Sequence, residues 1–243
     1  MSNLLSKTST RMTLEQLRTL PMPVTLGPIH APVPHHLLAE GIEVEAQERG
    51  YNIIKTQYAV SKDESKLFGV VDLMPKGVVD VTERALSIGF RNSTNSTLAI
   101  KLVAGTRVFV CDNLALSGDM IAVLRRNTNG LDLEDELREG FSKFLAHAST
   151  LDMHIARMQA TAITDIAAKA QIFDVFNSRI LPVHLFDDVA SFYFKPTEDM
   201  TDCTPRSLWG VHNAFTRSMK TMQPAAAFRA NIALGRAFGM ETR

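Results

Sequence analysis

The spacing of apolar residues changes once along this chain, and that change confines it to an α+β fold. Between Tyr51 and Cys111 the apolar residues come in short runs rich in Val, Ile, Phe and Tyr, separated by turn formers. This pattern predicts four or five antiparallel strands. From Leu131 onward the step changes. Leu133, Leu137, Phe141, Phe144, Ala148, Leu151, Ile155, Met158 and Ala162 recur every three or four residues, as on one face of a helix. A long amphipathic helix is therefore predicted over 132–164, weakened slightly by Gly140. The sheet is expected to pack on this helix, with the C-terminal half helical.

Local signals divide the chain further. Thr13 and Gln16 have the form of a capping box, so a short helix over 14–20 should end at Pro21 and Pro23. Five of the ten prolines fall between Pro21 and Pro34, which predicts an extended surface arm, because proline donates no backbone hydrogen bond and biases its predecessor away from helix. Residues 35–49 read as a helix stopped by Gly50. Residues 51–60 and 67–74 read as a hairpin about Lys62, Asp63, Glu64 and Ser65. Residues 85–90 and 98–103 flank a polar turn, and 107–111 supply another short run. Beyond the long helix, 163–180 continues or restarts the helical pattern, Pro182 breaks it, and 183–194 forms a shorter helix. Thr204 and Pro205 then read as the N-cap and first turn of a helix over 206–222. The expected organisation is a helix and arm over 1–34, one α+β domain over 35–222 (β-rich over 50–112, helical over 131–222), and a basic tail over 223–243.

Charge narrows the function classes. The 243 residues carry 26 Lys and Arg against 26 Asp and Glu, which speaks against binding nucleic acid by bulk charge. That zero is a sum of blocks. From Arg84 to Arg126 six cations face only Asp112 and Asp119; from Asn127 to Asp152 six acids face Arg138 and Lys143; from Thr204 to Arg243 six cations face Glu241. One reading makes Arg91, Lys101, Arg107, Arg125 and Arg126 a basic surface for phosphates, with Asn92 and Ser93 as neutral donors. The other makes these runs solvated faces or internal pairs. Acids in a first helical turn already have a use against the helix dipole.

No metal or cofactor is expected. His147 and His154 lie two turns apart on one helix, too far for a single ion, and the two cysteines, Cys111 and Cys203, form no zinc pattern or disulfide framework. Cys111-Asp112-Asn113 could place a thiol nucleophile, yet no histidine is near in sequence and a small buried residue is the simpler reading. Nucleotide-loop, GxSxG and HExxH patterns are absent. Tyr51, Tyr58, Phe68 and Phe90 could stack on bases, although aromatics in strands are more often core; Trp209, with Asn213 and Thr216 on its side of a helix, also reads as core. No apolar run reaches the length of a membrane span, and no secretory leader is recognisable, so a cytoplasmic protein without a membrane partner is expected.

Several phrases also carry a resemblance. The blocks PHHLLAEGIEVEAQERGYNI, LFGVVDL, ALSIGFRNSTNSTLAIKLVAGTRVFVCDNLALSGD and LWGVHNAFT resemble, in order, those of the phage- and plasmid-associated family called domain of unknown function 932. The match runs from about Pro34 to Thr216. The resemblance implies a mobile-element context without an activity. The order of helix, hairpin, further strands and long helix is similar to the single-strand annealing superfamily of the Rad-fifty-two, Erf and Red beta type, which implies homo-oligomers that bind single-stranded DNA and anneal it without ATP. The leading expectation is thus a DNA-binding accessory of a mobile element, not an enzyme. The alternatives are a factor that binds a host protein, for instance to block a defence system, and an enzyme using Cys111.

Overall fold

The computed structural model describes residues 9–78, 84–108, 113–125, 127–197 and 206–240. Its sheet is built by short connections. Strand β1 (Ser9–Met12) lies beside β2 (Tyr51–Ser61), and β3 (Lys66–Pro75), β4 (Arg84–Ser93), β5 (Ile100–Val108) and β6 (Asn113–Arg125) follow in chain order as an antiparallel meander. The predicted hairpin is β2–β3. Its turn is tied by Asp63, whose carboxylate accepts hydrogen bonds from the Ser61 and Ser65 hydroxyls, and these hold its pKa down at about 2.

Alternation along the strands sends side chains to two faces. On one face Leu67, Val71 and Leu73 of β3 meet Ile88 and Phe90 of β4, Leu102 and Ala104 of β5, and a helical layer. That layer includes α2 (His35–Glu48), which buries Leu38, Ala39, Ile42 and Ala46, and α3 (Leu133–Ala160), which buries Leu137, Phe141, Phe144, Leu151, Ile155 and Met158. The sheet thus packs on a long helix as the periodicity predicts. Asp132 caps α3 by accepting the Asp135 N–H. The capping box at Thr13 forms too and opens α1 (Leu14–Arg18).

The helical half continues with α4 (Asp165–Asn177), a fresh start capped by Thr164, and α5 (Phe186–Phe194), reached through a single 3-10 turn after Pro182. Helix α6 (Leu208–Ser218) is buried nearly all round and is capped by Ser207; the expected cap pair Thr204 and Pro205 lies outside the described residues. Trp209 packs in the core as read from its stripe, with the His212 ring stacked on it at 5.2 Å and an interplanar angle of 6°.

Three expectations are corrected. Residues 98–103 and 107–111 are not separate strands, because β5 runs unbroken through Thr106 and Arg107 to Val108; residues 109–112 lie outside the described set. Strand β6 occupies a stretch for which the sequence pattern predicts no strand. Its pairing passes from Val103↔Ile121 to Gly105↔Leu116, so two steps along β5 face five along β6, and such a bulge erases the two-residue alternation that marks a strand. The stretch expected as a basic tail forms helix α7 (Pro224–Ala237), with Pro224 at its first position, lying against β6.

His212 is fully buried and neither ring nitrogen has a hydrogen-bond partner, so burial depresses its pKa to about 3. The unfolded chain takes up this proton near 6.5, so the stability it confers is complete above that pH and drains away as pH falls toward the folded value. Urea titrations should show stability falling by about 2 kcal/mol between pH 7 and pH 5 from this group. His212→Phe should flatten that dependence, leaving the smaller same-sign contribution of His35, whose pKa burial also lowers.

Candidate anion-binding site

The second face of the sheet holds the charged groups. Phe68 of β3, Val103 of β5 and Leu116 of β6 form a small apolar cluster with Phe228 and Ile232, which seats α7 across this face. Gly89 of β4 permits the close fit: a Cβ there would stand 3.1 Å from Leu116 and 3.3 Å from Phe228. The Asn231 side chain fixes the helix along its axis by accepting the Leu116 N–H at 3.2 Å.

That seating brings four cations together. Arg91 and Lys101 are directly opposed on β4 and β5, two pairs beyond Gly89↔Val103 and so on the same face, and both are half-buried. Arg229 and Arg236, seven apart and therefore two turns along one side of α7, are exposed beside them. The pKa values of Arg91 and Lys101 are both lowered, first by burial and then by cations: Arg229 acts on Arg91, and Arg91 and Arg236 act on Lys101. The Arg91 Nε is buried without a hydrogen-bond partner. Like charges on opposed strand positions destabilise a sheet, so this grouping opposes folding and favours an anion.

Of the residues singled out from sequence, Arg91 and Lys101 thus come together, and Asn92, Ser93 and Arg107 do not join them. Arg107 is a correction: it is 1% exposed, and its Nε meets the Asp72 carboxylate at 2.5 Å. The Ser87 hydroxyl donates to the other Asp72 oxygen at 2.6 Å, and an Arg107 terminal nitrogen donates to Gln57 at 3.3 Å. This polar row crosses β2 to β5 and cannot reach a phosphate. Burial pushes the Asp72 carboxyl above the usual carboxylate range, against the pull of Arg107 and Ser87.

Asn92 is also buried. It donates to the Val33 carbonyl at 2.8 Å and to the His35 Nδ1, and accepts from Asn127 at 3.0 Å, so it fastens the proline-rich arm to the sheet. The His35 Nε2–H donates in turn to the Glu64 carbonyl at 3.0 Å, which leaves His35 a neutral ring. The Ser93 hydroxyl closes the β4–β5 turn by bonding both the N–H and the C=O of Leu98. Arg125 ends β6 with its backbone opposite Ile100 and its side chain outside the described set, as are Arg126, Cys111 and Asp112. Phe68, Tyr58 and Phe90 are core.

Charge and position make residues 223–243 read as a tail, which hides Arg229 and Arg236. Their signal was Pro224 followed by apolar Phe228, Ile232 and Leu234, a helix start and a helical spacing. Among the described residues no group of three His, Cys, Asp or Glu could hold a metal, and no helix is long and apolar enough to cross a membrane. Searches of protein-family models, curated proteins and solved structures find no match to this chain.

Two stability measurements separate the roles of these residues. Arg107→Ala should lower the unfolding free energy by about 3–5 kcal/mol, because it strands a buried carboxylate, and replacing Asp72 and Arg107 together by leucine should cost less. Lys101→Met should instead stabilise by several tenths to about 1 kcal/mol at low ionic strength, and added salt should erase the gain.

Proposed function

We propose that this protein binds single-stranded DNA along the α7 edge of the second sheet face, with Arg91, Lys101, Arg229 and Arg236 neutralising phosphates. The observation that carries this reading is that four cations from three elements converge and, among the described residues, every charged neighbour acting on Arg91 and Lys101 is itself a cation. Folding energy is spent on holding that group together, and an anion bound there recovers it. The two exposed arginines lie about 10 Å apart along α7, which suits successive phosphates of an extended strand better than a single small anion.

Buried Tyr58, Phe68 and Phe90 leave those strand positions no platform for stacking bases. Recognition through phosphates alone follows, tolerant of sequence and steep in salt. The resemblance to domain of unknown function 932 adds a mobile-element setting, and the order of elements adds a role in annealing without nucleotide hydrolysis by an oligomer. Both are parts of the proposal.

Fluorescence anisotropy with a labelled oligothymidylate tests it. Binding should appear at about 50 mM salt and weaken steeply toward 300 mM, and Lys101→Gln with Arg229→Gln should reduce the slope of log K against log salt by about 1.4, or 0.7 for each cation removed. Absence of binding at the lower salt, or a slope indifferent to the two substitutions in a folded variant, overturns the reading.

A further inference from the structure

Helices α2 and α3 leave a groove of about 370 Å³ on the opposite side of the molecule from the cation group. It exists because the two helices nearly touch at one point. A Cβ on Gly41 would stand 2.5 Å from the Leu137 side chain, so only glycine lets α3 approach there. On either side of that contact Leu37 and Val44, one turn before and about one turn after Gly41, remain 45% and 51% exposed. With Leu133 and Leu137 they line an apolar floor about two turns long. Exposed leucine and valine on an otherwise well-buried helix are unusual when they share one groove.

The rim is acidic. Glu40, Glu48 and Glu134 line it, and α2 together with Asp132 and the first three turns of α3 carries nine carboxylates against Arg49, Arg138 and Lys143. Two rim acids are held by exposed cations, Glu40 by Arg18 and Glu134 by Arg138; such surface pairs are weak and readily exchanged. We infer that this groove docks a basic amphipathic helix of a partner protein, whose apolar residues at i, i+3 or i+4 and i+7 lie on Leu37, Val44 and Leu133 while flanking Lys or Arg side chains meet the glutamates. A neutral or acidic segment lacks the second half of that fit, and a nucleic acid is repelled by the rim.

The inference is independent of the DNA-binding reading, since it uses the other side of the sheet and a surface of opposite sign. The probe is a synthetic peptide of about four helical turns with leucines at i, i+4 and i+7 and lysines on both flanks, compared with a scrambled peptide of the same composition. The full chain should bind the ordered peptide at least tenfold more tightly than the scramble. Val44→Lys and, separately, Glu134→Lys, both at exposed positions, should weaken it roughly tenfold or more, with melting temperature checked to confirm folding. Lys101→Gln should leave it unchanged. Equal binding of the two peptides, no binding at low salt, or no response to Val44→Lys overturns the inference. So does sedimentation showing that the wild-type chain dimerises and Val44→Lys abolishes the dimer, which gives the groove to a second copy.

Discussion

An antiparallel sheet closed on both faces must supply a partner for every polar group it buries, and here that requirement falls on the Asp72–Arg107 pair. Most antiparallel sheets leave one face to water. In this chain β3 is buried on both sides from Leu67 to Leu73, and the second face is split between an apolar half under α7 and a polar row from Gln57 through Asp72 and Ser87 to Arg107. Because the row touches four strands, it discriminates among registers: a slip of one residue in any of them turns a polar member of the row toward the other core. The ion pair is weak evidence of net stability, and its stronger effect is on which pairing the meander adopts.

The same closure determines what the surface can do. With Tyr58, Phe68 and Phe90 consumed by packing, the sheet offers Arg91 and Lys101, flanked by Arg229 and Arg236, at its α7 edge. The proline-rich arm, fastened through Asn92 to His35 and Asn127, closes the end of the sheet nearest the β2–β3 turn.

Much of this was legible from spacing alone. The change of period located the sheet and the long helix, the capping box at Thr13 formed where its signal stood, and the hairpin turn fell on Asp63. What could not be read was side-chain direction. Arg91 and Arg107 look equivalent in sequence, yet Arg107 reaches Asp72 two strands away, across β4, and Arg91 has Phe68 and Lys101 opposite it. A partner 35 residues away leaves no local trace. Strand β6 was hidden by its bulge and α7 by its charge, since arginines near a terminus suggest a tail until the apolar residues between them are counted as a face.

Placing the acidic helices α2 and α3 on one side of the sheet and the cation group on the other makes a molecule of zero formal charge into a permanent dipole. Such a body carries no net force in a uniform field but turns in it, and near a charged surface it presents whichever side is complementary. It would be retained weakly by both anion and cation exchangers near neutral pH, and it would meet a polyanion and a polycation in opposite orientations. Its orientation on approach is thus settled before any contact forms.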